Sequence, residues 1–210
     1  MKTDEIFEKL SMNLPLGLGR AHEQAIAAQI VEEADSCLDI GCGRGAFQWL
    51  RGFDAVGCDI YPLNLAIARD KNYYEDVLAC DIRALPFKAK SFDVAICVEV
   101  IEHLEKKEGL ELIKKMEKIA RRQVIITTPW GYMPLEERDD NPHLNHLSGW
   151  TPAEFEKMGY KVYPFYYPRY PAGRGKIQII ARYLLSPLMY PLARRNPGKY
   201  AQDFMAVKIL

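Results

Sequence analysis

Short apolar runs alternate along the chain with stretches in which apolar residues recur every three or four positions. Continuous apolar strands that alternate with helices are typical of a parallel sheet that is covered by helices on both faces. The sequence therefore predicts an α/β fold with a mostly parallel sheet. Seven strands are expected, at residues 36–40, 55–59, 77–81, 91–98, 124–127, 161–167 and 204–210.

Helices are predicted from apolar spacing and from residues that favour helix starts. Pro62 stands where the helix after the second strand should begin, because proline is favoured in the first turn. Thr151, Pro152 and Glu154 form the pattern of a capped helix start. A longer helix is predicted over 105–122, with its buried side formed by Leu110, Ile113, Met116 and Ala120. Two further helices are predicted, one on the stripe Ala27, Ile30, Val31 and Ala34, and a short one through Phe47, Trp49 and Leu50.

One domain is predicted over residues 1–210, with a helical insert at about 172–200 between the last two strands. Within 176–195 of this insert a helical apolar stripe is interrupted by Pro187. The stripe is expected to pack in the core, to form a lid, or to contact a second copy of the chain or a membrane surface. The segment 129–149 lacks apolar periodicity and is long for a loop, so a functional, mobile loop is predicted there.

The charges of the chain balance, with 28 basic and 28 acidic residues among 210. This balance predicts no general attraction to nucleic acid or to an anionic membrane, so a nucleic-acid partner is not expected. Neither a signal segment nor an apolar run of about 18 residues is evident, which favours a cytoplasmic protein without a transmembrane segment. The five cysteines form no C-x-x-C pair, so reduced, buried thiols are expected and neither a disulfide nor a metal site is predicted.

A glycine-rich turn follows the first predicted strand. Gly41, Gly43 and Gly45 alternate there, and glycine is needed where a turn takes positive φ or where backbone approaches a ligand closely. Gly41, Gly43 and Ala46 fit the dinucleotide-binding pattern G-x-G-x-x-G/A, with Asp59 at the end of the next strand. The same stretch fits D-x-G-x-G-x-G, which is the pattern of S-adenosylmethionine (SAM) methyltransferases.

Asp39, just before the glycines, separates these two ligands. A carboxylate beside the loop would repel a pyrophosphate, whereas it would suit the cationic amino group and the sulfonium of SAM. SAM is therefore the favoured ligand, and a nicotinamide-dependent Rossmann oxidoreductase is the alternative. A SAM-binding protein that regulates without catalysis is a further alternative, because methyl transfer requires no obligatory catalytic residue.

With these motifs in place, the chain resembles the class I SAM-dependent methyltransferases, in particular the small-molecule, type 11-like group. The likeness is close over about 20–130. The stretch 38–47 resembles the first SAM motif of that family, and 91–104 is similar to its fourth-strand motif. The resemblance implies a Rossmann-like three-layer sandwich whose last strand is antiparallel.

The resemblance also implies roles for individual side chains. Asp59 takes the place of the acid that binds both ribose hydroxyls, and Asp81, beside Ile82, matches the acid near the adenine amino group. Val98 and Glu99 stand at the mouth of the fourth strand. The complete set of implied cofactor-binding residues is Asp39, Gly41, Cys42, Gly43, Gly45, Asp59, Ile60, Asp81, Ile82, Val98 and Glu99.

The expected reaction moves a methyl group from SAM to a small-molecule or metabolite acceptor by in-line displacement, with S-adenosylhomocysteine as the product. A general base is needed only when the acceptor must lose a proton. His143 and His146 lie in the long loop after the fifth strand and are the candidate bases. His103 belongs to the fourth-strand motif, and for it packing is favoured over catalysis.

Overall fold

The computed structural model describes residues 26–27, 29–134, 141–168, 195–196 and 201–210. In this part of the chain seven strands form one sheet in the order β3-β2-β1-β4-β5-β7-β6. The strands are β1 Ser36–Ile40, β2 Asp54–Asp59, β3 Asp76–Ala79, β4 Phe92–Val98, β5 Ala120–Pro129, β6 Lys161–Pro168 and β7 Ala201–Ile209.

The first five strands pair in parallel, and β7 pairs antiparallel with both β5 and β6. This confirms the α/β, Rossmann-like fold with its mostly parallel seven-stranded sheet and antiparallel last strand. β1 lies between β2 and β4. The chain therefore continues from β1 toward one edge of the sheet and returns at β4 to build toward the other.

Three α-helices accompany the described sheet: α1 Pro62–Asp70, α2 Lys106–Ile119 and α3 Pro152–Lys157. Pro62 occupies the first turn of α1, as predicted. Thr151 caps α3 together with Glu154, whose carboxylate accepts from the Thr151 N–H at 2.8 Å, so the predicted capped start is confirmed. Short 3-10 turns cover Gln48–Gly52, Ile82–Ala84, Ile101–His103 and Pro142–Leu144.

Two predicted helices differ from the structure near β1. Residues 26 and 27 are helical, but 29–34 form turns, and Glu33 has a φ of 63° that no right-handed helix contains. Residue 28 of that predicted helix lies outside the described residues. The expected helix through Phe47 is a five-residue 3-10 turn, Gln48–Gly52.

The buried face of α2 is rotated from the predicted one. Leu110 is 38% exposed, whereas Leu112 is buried. The cause is Gly109, because a Cβ on this residue would lie 2.5 Å from Cζ2 of Trp150. The indole therefore packs directly on the glycine and draws that side of the helix inward. The helix also ends at Ile119, short of the predicted end, because the next residue already pairs in β5.

The core has two layers, one on each face of the sheet. α2, Trp150 and Phe155 cover one face, and α1 with Leu50 covers the other. Alternate residues of β1 enter opposite layers, so Leu38 packs in the first layer and Cys37 in the second. All five cysteines are free thiols; four are buried as expected, whereas Cys80 is only half-buried.

A polar cluster fixes the register of β1 and β4 at the edge where these strands begin. Oδ2 of Asp93 accepts from the N–H groups of Asp35 and Ser36, each at 3.1 Å. Arg121 donates from Nε to the other oxygen at 2.8 Å. The Arg121 guanidinium holds the pKa of Asp93 well below its usual range, which indicates a carboxylate that stays charged. Because β1 and β4 pair in parallel, this register also places their carboxyl ends next to each other.

The insert predicted at 172–200 lies outside the described residues except for 195 and 196. Its packing, and the contact with a second chain proposed for 176–195, therefore stay predictions, as does the single-domain boundary. None of the described helices is long and apolar enough to cross a membrane.

Candidate functional site

A cleft of about 360 Å³ opens beyond the carboxyl ends of β1 and β4. This is the point at which the chain reverses its direction across the sheet, where open α/β sheets bind their ligands. The lining residues come from the last residues of β2 and β4, from the loops after β1 to β5, and from the first turns of α1 and α2. They are Gly41, Gly43, Asp59, Ile60, Asn64, Asp81, Ile82, Arg83, Val98, Glu99, Val100, His103, Leu104, Glu108, Asn141, His143, Leu144, Asn145 and Leu147.

The glycine turn forms the floor of the cleft. Gly41, Gly43 and Gly45 have φ values of 72°, 53° and 69°, which L side chains rarely adopt. The N–H groups of Gly41 and Cys42 both donate to the carbonyl of Cys58, at 2.8 and 2.9 Å, so the turn is fastened to β2. A Cβ on Gly43 would meet no atom within 4 Å. The backbone at Gly43 is therefore open to a ligand from above.

Asp59 at the end of β2 connects the glycine turn to the cleft. Its Oδ2 accepts from the Gly43 N–H at 2.9 Å, and its Oδ1 accepts from the Tyr61 N–H at 2.8 Å. Each carboxylate oxygen can accept two hydrogen bonds, so each keeps one further acceptor position. This arrangement suits two adjacent hydroxyl groups of a ribose.

Asp81 lies on the neighbouring wall and is held by Arg83, two residues further along. The guanidinium donates from Nη2 to Oδ2 at 2.7 Å, and Oδ1 also accepts from the Arg83 N–H at 2.9 Å. This pairing lowers the pKa of Asp81, so the carboxylate stays charged. Arg83 also reaches Glu108 at 3.5 Å.

The turn after β4 supplies the third wall. Val98 lines the cleft, and Glu99 follows it with a φ of 53° that is unusual for glutamate. Its Oε1 accepts from the hydroxyl of Thr127 at 2.8 Å. Burial, and then the nearby carboxylate of Glu102, raise the pKa of Glu99. The strained backbone is thus stabilised by a side-chain contact to β5, and it directs a carboxyl group toward the cleft.

Three of the predicted cofactor residues do not line the cleft. Asp39 is 1% exposed and lies behind the glycine turn, where the hydroxyl of Tyr74 donates to its Oδ2 at 2.6 Å. Burial raises the pKa of Asp39 to about 7, and the charge of Asp59 adds to this rise. Cys42 is buried on the same side, and the carbonyl of Gly45 accepts from the Lys71 ammonium at 2.6 Å. The other eight predicted residues, Gly41, Gly43, Asp59, Ile60, Asp81, Ile82, Val98 and Glu99, all line the cleft.

The two candidate bases have different positions. His143 is exposed and lines the cleft. His146 does not line it, and its ring meets that of His103 with centroids 4.9 Å apart. His103, for which the sequence favoured a packing role, does line the cleft, and burial lowers its pKa.

The sequence analysis missed several other residues that line the cleft. Arg83 could have been found because it stands two residues after Asp81 at a strand end. Asn141, Asn145 and Leu147 come from the loop after β5 and reach the cleft only because that loop folds back.

The loop after β5 is anchored in its described part. The N–H groups of Leu147 and Ser148 both donate to the carbonyl of Glu102, at 2.8 and 3.0 Å. The Gly131 N–H donates to the carbonyl of Trp150 at 2.6 Å, and Lys106 donates to that of Gly149 at 2.7 Å. The two described ends of the loop are therefore tied to each other and to the turn after β4. Closure of this loop over an acceptor stays a prediction.

Residues 38–127 match the family model described as a methyltransferase domain. An uncharacterized protein from Methanocaldococcus jannaschii is 28% identical over 126 residues, covering 60% of this chain and 54% of that protein. A probable tRNA methyltransferase 9B from Mus musculus is 35% identical over 83 residues, covering 39% of this chain and 18% of that protein. The crystal structure of a SAM-dependent methyltransferase from Archaeoglobus fulgidus aligns over 100% of both chains, with a TM-score of 0.64 and 18% identity.

The segment 38–127 thus resembles a methyltransferase domain, and the chain shares its fold with the SAM-dependent methyltransferase from Archaeoglobus fulgidus. SAM, which is named for the Archaeoglobus fulgidus protein, is also the ligand that Asp39 favoured in the sequence. The segment 38–127 contains the glycine turn together with Asp59, Asp81 and Glu99. The chain spans about half the length of the archaeal relative and less than a fifth of the mouse relative.

The expectation that nucleic acid is not a partner has no support in these comparisons. It rested on the balance of charge over the whole chain, whereas the mouse relative carries the name of a tRNA methyltransferase. A balanced total says little about the surface around one cleft, because recognition depends on the local arrangement of charge.

Proposed function

We propose that the protein transfers a methyl group from SAM to a small-molecule acceptor. The observation that carries this proposal is the convergence of the glycine turn, Asp59, Asp81 and Glu99 on one cleft. When bound, SAM supplies a methyl group on a sulfonium, which passes to a nucleophilic atom of the acceptor while the neutral sulfide of S-adenosylhomocysteine departs. The protein's task is to bind and align both partners, and alignment contributes up to about 7–11 kcal/mol.

The chain's residues divide this task among the walls of the cleft. Asp59 has acceptor positions for the ribose hydroxyls, and the open backbone at Gly43 allows close approach. Asp81 would accept from the exocyclic amino group of the adenine after Arg83, which now bonds both of its oxygens, releases one of these bonds. Ile60 and Ile82 supply apolar contact for the base. The acceptor enters between the turn after β4 and the loop after β5.

His143 is the base for an acceptor that must lose a proton. It is exposed and lines the cleft, so its ring can reach a bound acceptor. Histidine is the side chain that most often removes a proton in catalysis. An acceptor that already carries a lone pair, such as an amine or a thiolate, needs no such base.

A small acceptor is favoured by the charges of the cleft. The described lining contains the carboxylates of Asp59, Asp81 and Glu108. Among the described lining residues, Arg83 is the one lysine or arginine. Its guanidinium is already paired with the carboxylates of Asp81 and Glu108. Phosphate backbones bind to clustered, available cations, and the described walls offer carboxylates instead.

An RNA nucleotide is the second candidate acceptor. It is favoured by the name of the mouse relative, a probable tRNA methyltransferase that is 35% identical over 83 residues. An extruded base could enter the cleft while its backbone stays outside, as happens in enzymes that act on a single nucleotide.

The experiment that tests the function has a binding step and a turnover step. Calorimetry on the purified chain should show SAM and S-adenosylhomocysteine binding more tightly than NAD. Release of S-adenosylhomocysteine is then measured with metabolite pools and, separately, with unfractionated tRNA. Release that depends on the metabolite pool supports the proposal, and release that depends on tRNA supports the second candidate. Tighter binding of NAD would indicate the oxidoreductase alternative, and SAM binding without any release would indicate a non-catalytic protein.

We expect Asp59→Ala to weaken SAM binding at least tenfold. The carboxylate would accept two ribose hydroxyls, and hydrogen bonds to a charged group contribute about 1.5–3 kcal/mol each. The variant also releases the Gly43 N–H from its partner, so the floor of the cleft loosens. Calorimetric titration with SAM measures the change.

The control for this variant is Asp54→Ala. Asp54 is the first residue of the same strand and is exposed at the edge of the sheet opposite the cleft. Its removal should leave SAM affinity unchanged. An Asp59→Ala variant that is folded and binds SAM as tightly as the parent would contradict the ribose assignment.

A further inference from the structure

Two histidines and a glutamate come together beside the cleft from separate parts of the chain. Glu102 and His103 stand in the turn Ile101–His103 after β4, and His146 stands in the loop after β5. One ligand atom from each of the three lies within 4.8 Å of the others. Ligand atoms that share a metal at bond lengths near 2.1 Å are roughly 3–3.5 Å apart. Small side-chain rotations would therefore bring all three onto one ion.

We propose that Glu102, His103 and His146 form a binding site for a divalent transition-metal ion. The site departs from the sequence-based expectation, which predicted no metal. It also assigns His146 a role other than that of a base, since a nitrogen that binds a metal cannot take up a proton at the same time.

The hydrogen bonds of the two imidazoles support this assignment. Nδ1 of His103 lies 3.2 Å from the carbonyl of Asn145. A carbonyl only accepts, so Nδ1 carries the hydrogen and Nε2 presents its lone pair, which is the usual arrangement of a metal-binding histidine. Nδ1 of His146 is buried and has no hydrogen-bond partner in the described structure. A buried nitrogen without a partner is costly, and a metal ion would satisfy it.

Glu102 supplies the negative charge of the site. The residue is 2% exposed, and the Thr128 hydroxyl donates to its Oε2 at 3.0 Å. That hydroxyl is neutral, and a buried carboxylate is normally paired with a cation or bound to a metal. The proposed metal thus provides the positive charge that this carboxylate lacks among its described hydrogen bonds.

The backbone holds the three side chains together before any ion binds. The carbonyl of Glu102 accepts from the N–H groups of Leu147 and Ser148, the two residues that follow His146. The loop after β5 is thereby fixed to the turn after β4 at the position of the cluster. Such preorganisation reduces the ordering cost of binding.

The ligand set selects the class of metal. Imidazole nitrogens suit Zn²⁺, Co²⁺, Ni²⁺ and Fe²⁺, whereas Mg²⁺ and Ca²⁺ prefer a full set of oxygens. Three protein ligands leave at least one coordination position open, as in catalytic rather than structural sites. Because His103 lines the cleft, this position can take a water molecule or an oxygen atom of the acceptor. That last step rests on the proposed function, whereas the metal site does not.

The test titrates Co²⁺ into the chelator-treated chain of residues 1–210 without SAM. We expect visible d–d absorption that saturates at a single equivalent and shows no sulfur-to-cobalt charge transfer. His103→Ala and His146→Ala should each weaken Co²⁺ binding about tenfold or more. The matched control is His143→Ala, which removes an exposed histidine from the same loop and should leave Co²⁺ affinity unchanged. Circular dichroism melting of each variant checks that it is folded.

Three results would overturn the site: no saturable absorption, thiolate charge transfer, or unchanged affinity in a folded His146→Ala variant. Glu102→Gln gives an independent check, because the amide oxygen can still accept from Thr128 while the charge is lost. Its Co²⁺ affinity should also fall. SAM binding and product release are measured separately. A protein that binds Co²⁺ but never releases S-adenosylhomocysteine would contradict the proposed function and leave the metal site standing.

Discussion

The stability advantage of the Asp39→Asn variant over the parent protein is expected to grow by about 3 kcal/mol as the pH rises from 5 to 8. The carboxyl group is buried behind the glycine turn, and this burial raises its pKa from 3.8 to about 7. Ionising the group in the folded protein is therefore costly. Asparagine keeps an oxygen that can accept from the Tyr74 hydroxyl, and it has no charge to bury.

The direction of this pH dependence follows from proton binding. Between pH 3.8 and about 7, the folded state holds a proton on Asp39 that the unfolded state has lost. Stability contributed by this group is thus complete below pH 3.8 and is lost as the pH rises through about 7. The asparagine variant has no group that ionises at this position, so it does not lose this stability as the pH rises.

Urea denaturation at several pH values measures the difference in unfolding free energy between variant and parent. Asp54→Asn, at an exposed position, should show no such divergence. Parallel curves for Asp39→Asn and the parent would show that Asp39 is not protonated in the fold. Calorimetric titration of the same variant with SAM tests the sequence-based role of Asp39. If the carboxylate attracts cationic SAM, its replacement by an amide should weaken SAM binding.

Gly41→Ala is the second change with a large expected effect. Gly41 has a φ of 72°, which costs an L residue about 1–2 kcal/mol. The new Cβ would also lie 2.5 Å from Cγ2 of Val100, and overpacking costs about 1–3 kcal/mol more. We expect a loss of roughly 2–5 kcal/mol in unfolding free energy and weaker SAM binding, because both residues line the cleft.

A double variant separates the two causes. Val100→Ala removes the two methyl carbons that lie 2.5 and 2.7 Å from the new Cβ, so it should restore part of the stability lost in Gly41→Ala. The cost of positive φ would remain. Gly43→Ala is the matched control, because its φ is 53° but its Cβ would meet no atom within 4 Å. Equal losses at Gly41 and Gly43, without rescue by Val100→Ala, would show that the contact with Val100 is unimportant.

Local features of the chain were predicted with little error. β1 has the predicted bounds, 36–40, because a continuous apolar run followed by glycine is a signal contained within a few residues. Pro62 and Thr151 likewise start helices where they were expected to. The acids at strand ends could be assigned to one edge because parallel strands carry their carboxyl ends to the same side of the sheet. Asp59, Asp81 and Glu99 accordingly meet in the cleft.

Features that depend on close packing were predicted less well. Leu110 fits the apolar stripe of α2 as well as Leu112 does, and the choice was made by Trp150 packing on Gly109. Periodicity describes which residues share a helix face, but it contains no information on which partner approaches that face.

The sequence by itself determined the fold class, the glycine turn and the strand-end acids, because each is encoded in a short, continuous stretch. Only the tertiary structure decided that Asp39 lies behind the turn against Tyr74, and that His146 meets His103 instead of lining the cleft. Both outcomes depend on how a distant segment folds back onto a strand end. That path is fixed by long-range contacts, such as the bonds from 147 and 148 to Glu102, which no local pattern specifies.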